Sequence, residues 1–191
     1  MSISQETIVL AAIDLLNREG INKLTMRTVA AALDTKAASL YRHIKDKKDL
    51  YNLITEKVCS EIRPPCGLSN AKKYLIEAAG LYRQKLLALR DSVEIFSRSP
   101  PTTPIRLELI KNIMISLLHI GIKEENCMIA SHIFNNYILS FVANEAGFQN
   151  IPPETPHPFE AILGTNFKKM TFDEQFNCGL NVLFAGFKIL E

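Results

Sequence analysis

A chain of 191 residues with 47% hydrophobic side chains can bury a substantial core, which excludes a disordered polymer. No stretch approaches the roughly 18 consecutive apolar residues of a membrane span, and no basic-then-apolar leader opens the chain, so the expected location is the cytoplasm with no membrane partner. The net charge of +2 says little as a sum, but its distribution is uneven. Residues 20 to 48 carry seven Lys or Arg against Asp34 and Asp46, a local net of +5, whereas residues 64 to 191 carry twelve charges of each sign. One basic end on a neutral body is the electrostatic footprint of a small DNA-reading module joined to something else, although a merely solvated charged face is also common.

Period-2 alternation and Asn-Gly or Asp-Gly hairpin signals are missing, and apolar residues recur at three and four, so the chain reads as all-α. A first helix is expected from Ser2 or Ser4, with Ser2 and Gln5 spaced as a capping box, to Gly20, its apolar stripe being Ile8, Ala12, Leu15 and Leu16. Thr25 caps a short helix running to Leu33. Residues 36 to 44 form another, and Asp46, followed by Asp49, opens a helix to about Ile62. Arg63, Pro64, Pro65, Cys66 and Gly67 then break the pattern, which places a domain boundary there: residues 1–63, including a connecting helix at 47–62, and residues 64–191. Further helices are expected at 70–90, 92–97, 104–120 with Pro104 at its first position and Gly121 as its cap, and 123–145. A proline-rich loop at 150–158 and a short helix at 159–167 precede the last helix, which opens on Thr171 and Glu174 and runs to Leu190.

Two short helices joined by a tight turn, with a longer helix packed across them, make a helix-turn-helix. In such a unit the second helix enters the major groove, so its outward face should be polar and basic. Lys36, Ser39, Tyr41, Arg42 and His43 meet that requirement, while Leu40 and Ile44, four apart, form the inward stripe.

The stretch holding Ala12, Leu15, Leu16, Gly20, Thr25, Val29 and Ala30, followed by Ser39-Leu40-Tyr41-x-His43-Ile44 with Lys47 and Leu50, resembles the N-terminal signature of the tetracycline-repressor (TetR) family. The resemblance covers about a quarter of the chain. It implies an N-terminal three-helix DNA-binding domain followed by a helical ligand-binding and dimerisation domain, and a homodimeric repressor released from a palindromic operator on double-stranded DNA by a small-molecule effector. Carried over by position, Thr25 and Arg27 meet backbone and groove edge, Ala37, Ala38 and Ser39 form the base-reading turn, and Tyr41, His43 and Lys47 contact phosphate. Phenol, imidazole and ammonium all donate to phosphate oxygens, which fixes register without reading sequence. The competing readings are a partly buried packing aromatic for Tyr41 and simple solvation for Lys45 and Lys48; a contact role is favoured for Tyr41 and Lys47 only. Where the family has Gly then Val in the turn, this chain has Asp34 and Thr35; Asp tolerates a positive φ better than most non-glycine residues. The two alanines leave base readout to Lys36, Arg42, thymine-methyl contacts and DNA shape.

In the last helix, Phe176, Gly179, Leu180, Leu183 and Gly186 are similar to the tetracycline-binding branch of the family, where this helix and the one at 123–145 pair with their symmetry mates as a four-helix dimer interface. Tyr82, Phe96, Phe134, Tyr137, Ile138 and Phe141, with Asn112, His132 and Asn144 as polar anchors, are candidates for a largely apolar ligand site; core packing is the expected role of about half of them. In that branch a metal-bound His occupies the position of Phe96 and a partner-subunit acidic residue that of Asn144, so the magnesium-tetracycline site looks absent and the effector is expected to be apolar or aromatic. No metal site or cofactor is implied. Cys59, Cys66, Cys127 and Cys178 show no zinc or disulfide spacing and read as reduced thiols, a Cys59–Cys66 redox pair being the less favoured reading. An enzyme is not expected, because no phosphate-binding loop, GxSxG, HExxH or catalytic carboxylate pair occurs, and His119, His132 and His157 are isolated. An effector-independent DNA-binding or architectural protein remains the alternative, as does activation in place of repression.

Overall fold

The computed structural model describes residues 3–65, 67, 69–148 and 170–191. The expectations for Ser2, Cys66, His157, the 150–158 loop and the 159–167 helix lie outside them. Among the described residues there is no strand.

The chain divides into two compact units, Met1–Ile120 and Gly121–Glu191. The first contains α1 (Gln5–Glu19), α2 (Met26–Ala32), α3 (Ala37–Leu40), α4 (Lys47–Ser60), α5 (Ala71–Leu87), α6 (Ser92–Arg98) and α7 (Pro104–His119). The second contains α8 (Glu124–Phe148) and α9 (Phe172–Phe187), which ends in a 3-10 turn, Lys188–Leu190. Packing therefore divides the chain after Ile120, whereas the Pro-Pro break lies at residues 64 and 65. The reason is α4, which packs on α1 at one end and on α5, α6 and α7 along the rest.

Local chemistry starts the helices. Ser4 caps α1: its hydroxyl accepts from Thr7 N while the Thr7 side chain accepts from Ser4 N, a reciprocal box. Thr25 and Thr28 repeat the device at α2, Asp46 accepts from Asp49 N at α4, and Thr171 pairs with Glu174 at α9. Pro104 occupies the first turn of α7, where a missing N–H costs nothing. Gly121 follows the cap Ile120 with φ +107.

The core of the first unit near the N-terminus is Ile8, Ala12, Leu15, Leu16, Leu24, Val29, Leu40, Ile44, Leu50 and Ile54, all within a few per cent of full burial. The Val, Leu and Ile side chains among them each contribute about 1.5–3 kcal/mol on burial. In the second unit Phe134, Ile138, Val142, Phe176, Leu180 and Phe184 are buried. Tyr137 stacks on Phe176 at 5.5 Å and donates its hydroxyl to Phe176 O at 2.7 Å, joining α8 to α9.

Candidate nucleic-acid interface and effector-contacting residues

The helix-turn-helix is built on a turn that Asp34 closes with φ +48. Leu33 N and Thr35 N bond back to Ala30 O at 3.1 and 3.0 Å, ending α2 and turning the chain into α3. Only residues 37 to 40 of the expected 36–44 segment are α-helical; Tyr41 to His43 form turns, held by bonds from His43 N and Ile44 N to Leu40 O. Leu40 and Ile44 are nonetheless both inside, at 0% and 1% exposure, so the inward stripe survives the shorter helix.

The outward set is accessible. Arg27, Lys36, Ala38, Tyr41, Arg42 and His43 are exposed, and Thr25, Ala37, Ser39 and Lys47 are half-buried. Tyr41 is 53% exposed, which removes packing as the reason for an aromatic there. Thr25 is already committed as the cap of α2, while Lys47 lies 5.5 Å over the Tyr51 ring, a cation–π contact that orients its ammonium at the start of α4. Gln5 Nε2 donates to His43 O at 3.3 Å, tying α1 to the turn after α3. The result is a run of donors from Lys36 to His43, flanked by Arg27 on α2 and Lys47 on α4 and backed by apolar anchors.

The candidate ligand residues fall in two places. In the first unit Tyr82 and Phe96 are buried with ring centroids 5.5 Å apart, and Asn112 is half-buried on α7. In the second unit Phe134 and Ile138 are buried, whereas Tyr137 and Asn144 join Ile133, Asn136, Ser140, Phe141 and Leu183 in a groove of about 580 Å³.

Sequence reasoning missed the polar cluster beside Tyr82 and Phe96. The Arg106 guanidinium lies 4.8 Å over the Phe96 ring, and its Nη1 donates to Ser99 O at 2.7 Å, Ser99 Oγ at 3.1 Å and Thr55 Oγ1 at 3.4 Å. Ser99 Oγ donates to Asn52 Oδ1 at 2.7 Å. The Glu56 carboxylate accepts from Ile105 N at 2.9 Å and Arg106 N at 3.1 Å, so a side chain of α4 caps the N-terminus of α7. Burial pushes the neighbouring Cys59 thiol up to about 12, with Arg106 pulling down and Glu56 pushing up by smaller amounts. Burial likewise raises Tyr82, with further contributions from Cys59 (upward) and Arg106 (downward). No short-range motif signals this cluster, because Thr55, Ser99 and Arg106 come from three segments. Among the described residues no group of three or more His, Cys, Asp or Glu side chains is placed to hold a metal, and no helix is long and apolar enough to cross a membrane.

Residues 8–54 match the family model for bacterial regulatory proteins of the tetR family, and residues 70–190 match the tetracyclin repressor-like C-terminal domain. The chain belongs to the tetR family. It is a DNA-binding transcriptional regulator with an N-terminal helix-turn-helix and a helical C-terminal domain. An HTH-type transcriptional regulator of Saccharopolyspora erythraea is 28% identical over 75% of this chain, the match spanning 61% of that protein. The class E tetracycline repressor of Escherichia coli is 25% identical over 97% of this chain and 90% of its own length. Among solved structures, the Streptomyces coelicolor TetR family protein ActR in complex with (S)-DNPA superposes with a TM-score of 0.82, covering 99% of each chain at 24% identity, a likeness that speaks for the fold. The tetR-family signature read from Ala12 to Leu50 is thus carried by the caps at Thr25 and Asp46 and a buried stripe, while the C-terminal match spans both packing units.

Proposed function

We propose that this tetR-family regulator binds a palindromic operator as a homodimer, represses from it, and is released by a small aromatic effector without magnesium. The observation that carries the reading is the donor set at Arg27, Lys36, Tyr41, Arg42 and His43, all exposed, with half-buried Lys47, on a helix-turn-helix braced by Leu40 and Ile44. Thr25, Ala37, Ala38 and Ser39 complete the contact surface, the alanines against thymine methyls and Ser39 toward a base edge. Residues 1–63 act as the DNA-binding module and 64–191 as the ligand-binding and dimerisation module, working in the cytoplasm where the DNA is.

Dimerisation through α8 and α9 is supported by large apolar side chains left in water. Met128, Ile129 and Ile133 on α8, Val182 on α9 and Ile189 in the 3-10 turn that follows it are exposed, Val182 by 68% and Ile189 by 88%. A recognition helix of one turn is a weak reader alone, and two copies on a two-fold axis read two half-sites. Tyr82, Phe96, Asn112, Phe134, Tyr137, Ile138 and Asn144 are the proposed effector-contacting residues. Phe96 offers no lone pair and Asn144 no charge to a magnesium ion, which prefers hard oxygen ligands in octahedral geometry.

Selection of bound duplexes from random DNA tests the operator. The expected product is an inverted repeat with half-site centres about 34–36 Å apart; recovery of a single asymmetric half-site would contradict the dimeric reading. Release from that operator, followed by fluorescence anisotropy against tetracycline with magnesium and against aromatic compounds, each with and without EDTA, tests the effector. Release by tetracycline that EDTA abolishes would overturn the magnesium-free reading.

A further inference from the structure

We infer that Arg106 is a carboxylate anchor, and that the effector is an aromatic acid whose anionic group is held by this guanidinium. This rests on the reading of Tyr82 and Phe96 as effector-contacting residues. The guanidinium stands over the Phe96 ring at 4.8 Å, on the same residues whose rings make the aromatic pair with Tyr82. Four helices supply its surroundings: Thr55 and Cys59 from α4, Tyr82 from α5, Phe96 from α6 and Arg106 itself from α7.

The hydrogen bonds are unevenly spent. All of those Arg106 donates from its side chain leave from Nη1, to Ser99 O, Ser99 Oγ and Thr55 Oγ1. Among the described residues, Nε and Nη2 have no acceptor, and no carboxylate lies within 4.0 Å of the group. Glu56, the nearby acid, spends both oxygens on the backbone N–H groups of Ile105 and Arg106. The group is half-buried, with its Nη1 edge fixed and the adjoining edge still reaching solvent, where an anion can dock on it. The Nε–Nη2 edge presents two parallel donors that match the two oxygens of a carboxylate, a geometry that an ammonium or an amide donor does not offer. Locking Nη1 on Ser99 and Thr55 fixes the plane of that fork in advance, so less freedom is lost when the anion arrives.

The experiment compares acids with their isosteric amides on the wild-type dimer: benzoate and benzamide, 1-naphthoate and 1-naphthamide, indole-3-acetate and indole-3-acetamide. Affinity is read by calorimetry and operator release by anisotropy. The expected result is at least one pair in which the acid binds about tenfold tighter than its amide, with the preference falling below about twofold in Arg106→Gln and partly kept in Arg106→Lys. Because the Nη1 bonds also brace α6 on α4, Arg106→Gln is used only if its circular dichroism and melting remain cooperative; the wild-type acid-to-amide ratio decides the matter on its own. Equal binding of acid and amide throughout, no binding by any acid, or an unchanged preference in folded Arg106→Gln would overturn the anchor. Amides that release the operator as well as acids would leave the effector reading standing and remove the anchor, whereas acids that bind tightly without releasing DNA would keep the anchor and remove the effector reading.

Discussion

The carboxylate of Asp91 accepts a hydrogen bond from Ile21 N at 2.7 Å, 70 positions away in sequence. Its neighbour Arg90 adds two more: Arg90 N donates to Asn17 Oδ1 at 2.9 Å and Arg90 Nη1 to Arg18 O at 3.1 Å. The turn between α5 and α6 thus satisfies polar groups at the C-terminal end of α1, and Asp91 holds a φ of +54 to do so. Asp91→Ala removes a charge-assisted bond and keeps the unfavourable backbone, so a loss of about 1.5–3 kcal/mol is expected in urea unfolding. Hydrogen exchange at the Ile21 amide should accelerate in parallel. An unchanged urea midpoint with full Ile21 protection would show the contact to be incidental.

Lys47→Ala should weaken binding to all duplexes alike and flatten the dependence of log K on log salt by about one unit, as expected when one phosphate contact is lost. The cation–π contact with Tyr51 fixes where that ammonium stands, so Lys47→Arg, which keeps both charge and ring contact, should retain most of the slope. A changed base preference with an unaltered slope in Lys47→Ala would mean that this side chain reads sequence.

Gly179 and Gly186, seven apart on α9, have opposite surroundings. A Cβ built on Gly179 would collide with the Tyr137 ring and its Oη, whereas one on Gly186 meets nothing within 4 Å. Gly179→Ala should therefore displace Tyr137 from Phe176 and cost about 1–3 kcal/mol. Gly186→Ala should be neutral or gain up to about 1 kcal/mol of helix stability. Gly186→Leu tests the proposed interface: sedimentation should show a weakened dimer, and a variant still dimeric at nanomolar concentration would place the interface elsewhere.

Cys59 and Cys178 differ in reactivity for a physical reason. Burial raises the Cys59 thiol to about 12, above its ordinary value of 9.0, while Cys178 is exposed on α9. At pH 8.5 iodoacetamide should modify Cys178 rapidly and Cys59 at least a hundredfold more slowly, read by peptide mass spectrometry, because the thiolate is the reacting form. The raised value also has a sign for stability. Below pH 9 both folded and unfolded thiols are protonated and the group contributes nothing; between 9 and about 12 only the unfolded thiol ionises, so stability falls as pH rises. Cys59→Ala should remove that part of the alkaline loss.

What could be read from the chain beforehand was whatever depends on four or five consecutive residues. The caps at Thr25, Asp46 and Thr171, the positive φ at Asp34, and the inward pair Leu40 and Ile44 all have that range. Ser4 was overlooked as part of a box because its partner Thr7 is an unusual choice beside Glu or Gln. The extent of α3 was overestimated, since apolar spacing continues to Ile44 although the backbone turns after Leu40. Glu56, Arg106 and the Asp91–Ile21 contact were invisible for a different reason: each acts on a group about 50 or more positions away or within a cluster drawn from several helices. The space beside Gly179 is filled by Tyr137 of the same chain, a contact 42 positions away that no local pattern announces.

The four residues of α3 are too few to hold a helix by themselves, because nucleation alone is unfavourable and isolated helices become stable only beyond about 12–15 residues. Its conformation is lent by Leu40 and Ile44 seated beneath it and by the caps of α2 and α4 on either side. Side chains on its outer surface are accordingly relieved of any duty to favour a helix. On the proposed base-reading role, the exposed Lys36 and Ala38 can be exchanged with little change in folding, so the address read on DNA can drift between descendants while the scaffold stays put.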